Sequence, residues 1–198
     1  MTNVRLDLSF PHRFEVEVAE ELPPAPASIN HVYFPLATEG GGKDGITVKV
    51  SPYEGQPWLG TFAFRDDSQQ ASTGVFSHPD DLSLCVVSRG QGYIVRADEP
   101  RVWSLIQTCY PIFDVRAVPE ARLLLFADLT AISAYGPKGV VWTTPRLSWD
   151  GLKITHVTST HIKGLAWDSP QNREVEFIVD LKTGQHQGGS SPEKYAAM

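Results

Sequence analysis

The stretch LSLCVVSRGQGYIVRADEPRVWSLI, residues 82–106, contains the pattern that decides the fold. Short runs in which apolar side chains alternate with polar ones are separated by turn residues, such as Arg89-Gly90-Gln91-Gly92. A period of two is the spacing of half-buried β-strands, whereas an amphipathic helix has a period of about 3.6. The stretch therefore predicts three consecutive strands, over residues 82–88, 93–98 and 102–106.

Similar series of strands and turns recur along the chain. The first series covers residues 73–106, the second covers 113–144, and a truncated third covers 162–184. Repeats of roughly 40 to 45 residues with up to four strands have the size of propeller blades, but a closed ring needs at least about four of them. We therefore predict an all-β fold of antiparallel meanders resembling two to three propeller-like blades, arranged as an incomplete propeller or a β-sandwich.

The N-terminal third, residues 1–64, is predicted to add strands that cover an exposed face of these repeats. Residues 6–10 and 14–18 alternate in the same way and predict a hairpin, and two further strands are expected at 46–50 and 58–64. A proline-rich connector at 21–26 and a glycine-rich loop at 38–45 separate these elements.

The rest of the chain predicts one domain over residues 1–198, with the meander repeats at 73–184. Asp150-Gly151 is a two-residue hairpin signal and predicts that residues 142–149 pair with 152–158. Residues 185–198 are rich in glycine and serine and predict a flexible tail, with one weak helical turn at 192–198.

Charge and composition exclude several classes of protein. The 17 Lys and Arg residues are scattered and the net charge is −6, which argues against a nucleic-acid partner. The longest apolar run, residues 123–127, is far shorter than the roughly 20 residues that cross a membrane. The first ten residues do not resemble a signal peptide, so a cytoplasmic location is expected, with Cys85 and Cys109 as buried thiols.

A C-terminal signature supports a resemblance. It comprises LSWDGL at 147–152, Trp167-Asp168, and VDLKTG at 179–184. In these pieces the chain resembles an uncharacterised bacterial β-repeat family with no known activity. The resemblance covers under a quarter of the chain; it implies a β-repeat fold and brings no activity with it.

Four residues at predicted turns and strand ends are the candidates for acid–base chemistry: Asp150, His156, His161 and Asp168. Imidazoles and carboxylates transfer protons and bind metals. The two histidines are five residues apart across a predicted turn, and they share a sheet face only if the register of that turn allows it. The spacing matches no metal-binding motif, so the sequence predicts no metal site, no cofactor and no firm catalytic residue.

Large aromatic residues occur near each predicted meander, and most are expected to fill the layer between sheets. A smaller share could form a recognition surface, because Trp, Tyr and Arg dominate binding hot spots. The candidates for that surface are Tyr135, Trp142, Arg146 and Trp149.

Two hypotheses about function follow from these observations. The first is a non-catalytic protein-binding module, such as an inhibitor or immunity-type partner of a basic protein, because an acidic chain associates rapidly with a basic one. The alternative is a hydrolase or carbohydrate-active enzyme that uses the turn-borne Asp and His residues. Exposed strand edges also make a homodimer an option.

Overall fold

The structure is a computed structural model that describes residues 4–19, 29–35, 44–65 and 70–196. The predicted connector at 21–26 and most of the predicted loop at 38–45 lie outside the described residues. Within them the chain is built from strands, apart from a 3₁₀ turn at Pro119–Ala121 and a short helix at Pro192–Ala196. No helix in the described ranges is long and apolar enough to span a membrane. The all-β prediction is confirmed.

Contacts between residues divide the chain into two compact units, residues 1–107 (unit 1) and 108–198 (unit 2). Each unit is described by itself. Whether the two units fold together as one domain, as the sequence predicts, stays a prediction.

Unit 1 contains two open sheets in its described part. Its strands are β1 (Arg5–Asp7), β2 (Phe14–Ala19), β3 (Asn30–Phe34), β4 (Gly45–Pro52), β5 (Trp58–Ala63), β6 (Gly74–Ser77), β7 (Ser83–Ser88), β8 (Gln91–Arg96) and β9 (Trp103–Leu105). Sheet I has the order β2-β4-β5-β3 and sheet II the order β1-β6-β7-β8-β9. The pairs are antiparallel except at two edges, where β3 runs parallel to β5 and β1 runs parallel to β6.

The predicted hairpin between residues 6–10 and 14–18 is wrong. β1 pairs with β6, and β2 pairs with β4, so the two strands belong to different sheets. The residues between them follow the turn that joins β6 to β7: the Phe10 amide donates to the Ser77 hydroxyl, and the Arg13 amide donates to the Asp81 carbonyl. These bonds direct the chain from sheet II to sheet I instead of back onto β1.

Unit 2 also contains two open sheets. Its strands are β10 (Asp114–Val118), β11 (Leu123–Ala127), β12 (Ile132–Gly136), β13 (Gly139–Thr143), β14 (Leu152–Val157), β15 (His161–Asp168), β16 (Arg173–Asp180) and β17 (His186–Gly188), followed by α1 (Pro192–Ala196). Sheet III is β10-β11-β12-β13 and sheet IV is β14-β15-β16-β17, and the pairs in both sheets are antiparallel. Each is a meander of the size of a propeller blade, so the predicted fold class is confirmed.

The predicted hairpin at Asp150-Gly151 is wrong, and the third repeat is not truncated. β14 pairs with β15, which makes it the first strand of a complete four-stranded sheet. The Trp149 amide donates to the Trp167 carbonyl, and the Gly151 amide donates to the Leu129 carbonyl. Residues 149–151 therefore bond to both sheets of unit 2 and connect them, which a tight hairpin could not do.

Each unit encloses an apolar core between its two sheets. The core of unit 1 contains side chains from both sheets, including Trp58, Phe62 and Tyr93, and the core of unit 2 combines sheets III and IV around Trp142. Trp58 and Trp142 are nearly inaccessible to solvent, as expected for aromatic residues that fill the layer between sheets.

The C-terminal residues form regular structure where the sequence predicts a flexible tail. β17 pairs with β16, Gly189 and Ser190 are buried, and the predicted helical turn is present as α1. Glycine and serine look flexible in sequence, but here they allow close approach: a Cβ on Gly189 would lie 2.7 Å from the Leu147 carbonyl oxygen.

Candidate functional site

The register of sheet IV places His156 and His161 on one face. His156 pairs with Lys163 on β15, and His161 is two residues from Lys163, so the three side chains share a face. Both histidines are exposed. The ammonium group of Lys163 beside them opposes a bound cation, and no group of three or more metal-ligating side chains forms within the described residues.

The two acidic candidates lie elsewhere. Asp150 is exposed in the connection between sheets III and IV, whereas Asp168 is buried on the opposite face of β15 from the histidines. The Asp168 carboxylate accepts bonds from the Tyr195 hydroxyl, at 2.9 and 2.8 Å from its two oxygens, and from the Gln171 amide at 3.3 Å. The four candidates for acid–base chemistry therefore do not converge on one cleft.

Two of the predicted binding residues are buried and hold unit 2 together. The Tyr135 hydroxyl lies 3.0 Å from the Thr108 hydroxyl, and its ring packs edge-on against Phe126. The Trp142 indole donates to the Leu181 carbonyl at 3.0 Å. These two side chains have little surface left to offer a partner, and their binding role stays a prediction.

The other two predicted binding residues, Arg146 and Trp149, lie on one loop. The Arg146 guanidinium donates to the Ser148 carbonyl at 2.9 Å and also to the Trp149 carbonyl. Trp149 is half-buried, and its indole donates to the Ser190 hydroxyl at 3.2 Å. Its ring also lies against Tyr195, with 6.2 Å between ring centroids.

These residues belong to a contact surface of unit 2 that we call the groove. It comprises the loop 146–150 and the turn 168–171, and residues 189–195, called the C-terminal segment, contact both: Ser190 bonds to Trp149, and Tyr195 bonds to Asp168 and Gln171. The structure thus joins Trp149 and Asp168 to one segment, with Arg146 bonded to the backbone of the Trp149 loop. The sequence did not predict this arrangement, since the tail was expected to be flexible.

Sheet IV has a second surface of interest, which we call the open face. Strand register and alternation assign to it Lys153, His156, His161, Lys163, Leu165, Trp167, Glu174, Glu176, Ile178, Asp180 and Gln187. Its centre is apolar, because Leu165 and Trp167 are only partly covered and Ile178 is 39% exposed. The cationic side chains come from β14 and β15 and the carboxylates from β16, with one pair, Lys153 and Glu174, 3.6 Å apart. Thr183 donates hydrogen bonds that lower the pKa of Asp180, which keeps this carboxylate charged.

The corresponding face of sheet I contains a polar network around His31 that the sequence did not reveal. His31 Nε2 lies 2.8 Å from the Thr61 hydroxyl, which lies 3.1 Å from the Thr47 hydroxyl, and the His31 ring stacks on Tyr33. Burial lowers the pKa of His31, so its imidazole is predominantly neutral at pH 7. The threonines in the neighbouring apolar strands β4 and β5 were the feature of the sequence that could have indicated this network.

A buried histidine in unit 1 was also missed. His78 is 3% exposed, its Nδ1 accepts the Asp80 amide at 3.1 Å, and its Nε2 has no partner among the described atoms. Burial lowers the pKa of His78 to about 4, against the opposing effect of the Asp80 carboxylate. The imidazole is therefore neutral at pH 7, with its proton on Nε2.

The two cysteines are buried and free, as expected. Burial raises the pKa of both the Cys85 and Cys109 thiols, so neither is a ready nucleophile.

No family model and no curated protein matches the sequence. Among solved structures, the chain is similar to the N-terminal domain of Nup159, with a TM-score of 0.42 and 11% identity over 100% of this chain and 57% of that one. It is also similar to a chain in an S. cerevisiae complex of Dbp5 bound to Nup159, Gle1, IP6 and ADP, with a TM-score of 0.40 and 14% identity over 98% of this chain and 54% of that one. The chain thus spans little more than half the length of these structures.

Proposed function

We propose that this protein is a non-catalytic protein-binding module and that the open face of sheet IV is its binding surface. The observation that carries the proposal is the apolar centre of that face, formed by Leu165, Trp167 and Ile178 and surrounded by charged side chains. Protein interfaces have this anatomy, with an apolar core inside a polar rim, and Trp is frequent among their hot spots.

The regular strand pairing of sheet IV supports this role. Eight residue pairs join β15 to β16, so the apolar residues are held on a rigid surface before any partner arrives. A preorganised surface loses little conformational entropy on binding, which favours affinity.

The charges of the open face indicate the chemistry of the partner. Glu174, Glu176 and Asp180 form an acidic strip along β16. Together with the net charge of −6, this strip favours a basic segment of the partner, as the sequence hypothesis of a basic protein requires. More specifically, we propose that this protein inhibits such a basic protein. The two free thiols support a cytoplasmic setting.

A matched pair of variants tests the proposal. Ile178→Asp places a charge in the centre of the open face, whereas Val140→Asp changes a residue of similar shape that is 51% exposed on β13. Tagged wild type and both variants are isolated from the native cell, and bound proteins are quantified by mass spectrometry. We expect a stoichiometric partner that Val140→Asp retains and Ile178→Asp loses, with both variants keeping the wild-type melting temperature.

Two results would count against the proposal. If every bound protein is retained equally by both folded variants, the open face is not the binding surface. If the species lost is a second copy of this chain, the basic partner is wrong, although the surface is right.

A further inference from the structure

We infer that the groove between loop 146–150 and turn 168–171 is a peptide-binding site for a partner protein, and that the C-terminal segment occupies it in cis. The ligand that fits is an extended segment with a small hydroxyl residue and a tyrosine five positions further on, as in Ser190 and Tyr195. This site is independent of the open face.

The walls of the groove are built without the C-terminal segment. The Leu147 amide donates to the Thr130 carbonyl at 2.7 Å, the Trp167 amide donates to the Ser148 hydroxyl at 2.8 Å, and the Trp149 amide donates to the Trp167 carbonyl at 3.1 Å. These bonds anchor the loop to both sheets of unit 2, and none of them involves the C-terminal segment.

Side chains of the groove bond to particular side chains of the segment. The Ser190 hydroxyl accepts the Trp149 indole proton, and the Tyr195 hydroxyl donates to the Asp168 carboxylate while accepting from the Gln171 side chain at 3.0 Å. Close backbone contact adds two bonds, from the Ser190 amide to the Leu147 carbonyl at 2.8 Å and from the Gly189 amide to the Glu176 carbonyl at 2.9 Å. A peptide from another protein with the same two side chains would form the same bonds.

Asp168 makes the site selective for tyrosine. Asp168 is 2% exposed, and removal of the tyrosine hydroxyl leaves its buried carboxylate with only the Gln171 amide as a donor in the described structure. A missing donor to a buried charge is costly, so phenylalanine at the same place should bind poorly.

Binding in trans is tested on the full chain with a weakened cis segment, Ser190→Ala combined with Tyr195→Ala. A synthetic peptide of residues 187–198 is titrated while the Trp149 indole resonance is followed by NMR. We expect saturable binding, and the peptide with Phe in place of Tyr195 should bind roughly 10-fold more weakly or worse. A control peptide with Lys194→Ala, which loses only a bond to the Gly189 carbonyl, should bind within about two-fold of the parent, as expected for an exposed charge.

Hydrogen exchange of the wild-type chain provides a second readout if the double variant does not fold. The Ser190 amide should exchange faster than the Leu147 and Gly151 amides, because the segment opens locally while the groove stays formed. Equal protection of all three amides would overturn the inference, and so would a Phe peptide that binds as well as the Tyr peptide. A dimer that the peptide dissociates would also overturn it, since the ligand would then be a second copy and not a partner.

Failure here is distinguishable from failure of the proposed function. Ile178 is not in the groove, so loss of a partner on Ile178→Asp tests only the open face, whereas the peptide titration tests only the groove.

Discussion

Units 1 and 2 use the same bond to join their sheets but fill their cores differently. In each, a tryptophan indole donates to a carbonyl 39 residues further on, from Trp58 to Ala97 at 2.8 Å and from Trp142 to Leu181 at 3.0 Å. The core of unit 1 is a cluster of aromatic rings around Phe34, which stacks on Phe62 at 4.6 Å. The core of unit 2 is mainly aliphatic. The same hydrogen bond between sheets therefore occurs with an aromatic core in unit 1 and a mainly aliphatic core in unit 2.

The units also differ in the path of the chain. In unit 2 the strands follow one another across each sheet, whereas unit 1 receives its parallel edge strands β1 and β3 from outside the local order. Consecutive meanders can be predicted from local sequence, because each strand pairs with its neighbour along the chain. Strands that cross between sheets cannot be predicted in this way, because their own sequence does not specify the strand with which they pair.

Replacement of the two tryptophans is expected to reduce stability most. Trp58→Ala should lower the free energy of unfolding by about 4 kcal/mol, and Trp142→Ala by about 3 kcal/mol, because each leaves a cavity and an unpaired carbonyl. Trp58 should cost more since it is 2% exposed and contacts Phe34, whereas Trp142 is 8% exposed. Equilibrium urea unfolding measures both losses. A larger loss for Trp142→Ala would break the comparison, and Trp58→Phe is the control that keeps most of the ring volume.

The second effect is the pH dependence of stability that comes from a buried histidine of unit 1. The pKa of His78 in the folded state is about 4, below its ordinary value of 6.5, so the unfolded chain binds a proton more readily between these values. Stability from neutral His78 is therefore complete above pH 6.5 and is lost as the pH falls to 4, by about 3 kcal/mol.

The variant His78→Asn tests this pH dependence, because its amide oxygen can still accept the Asp80 amide but does not titrate. Urea unfolding between pH 4 and 7 should show a shallower slope for the variant than for wild type. Identical slopes would show that His78 is protonated without cost.

A smaller effect should come from two glycines of unit 2 with positive φ. Gly184 has φ +72° and a Cβ there would lie 2.8 Å from the Trp142 ring, whereas Gly139 has φ +104° and open space around it. Gly139→Ala should cost about 1 kcal/mol for the backbone alone, and Gly184→Ala about 2 kcal/mol because the ring must move. Thermal unfolding compares the stabilities of the two variants. Equal losses of stability would show that the Trp142 ring moves aside without cost.

The smallest effect sharpens the contrast between the two terminal segments. β1 is held by backbone bonds to β6, and Leu6 is 52% exposed, so Leu6→Ser should change stability by less than about 0.5 kcal/mol. The C-terminal segment is held by side-chain bonds as well as backbone bonds, so Tyr195→Phe should cost about 1 kcal/mol. Thermal unfolding at matched pH measures both, and a greater loss for Leu6→Ser would reverse the contrast.

Several parts of the fold were predictable because they depend on local chemistry. The repeats at 73–106 and 113–144 contain β6–β9 and β10–β13, and strands at 46–50 and 58–64 are present in β4 and β5. Local side-chain bonds also close turns within a few residues: the Asp80 carboxylate accepts the Ser83 hydroxyl, and the Asp180 carboxylate accepts the Thr183 hydroxyl.

The candidate sites were less predictable. Arg146, Trp149 and Asp168 were chosen for their side-chain chemistry, yet long-range bonds bring Trp149 and Asp168 together: the Trp149 amide donates to the Trp167 carbonyl, and the C-terminal segment bonds to both side chains. The sequence did not single out His31 or His78, because their importance comes from burial and from neighbours distant in the chain. A side chain's chemistry can be seen in sequence, but its surroundings cannot.

By itself the sequence determined that this chain forms short strands with tight turns, because alternation and turn residues act over a few positions. Tertiary structure decided which strand edges pair, why β1 and β2 separate, and that Asp150-Gly151 connects two sheets instead of closing a hairpin. The physical reason is that every strand edge offers the same backbone donors and acceptors. The choice among edges depends on side-chain packing between segments far apart in the chain.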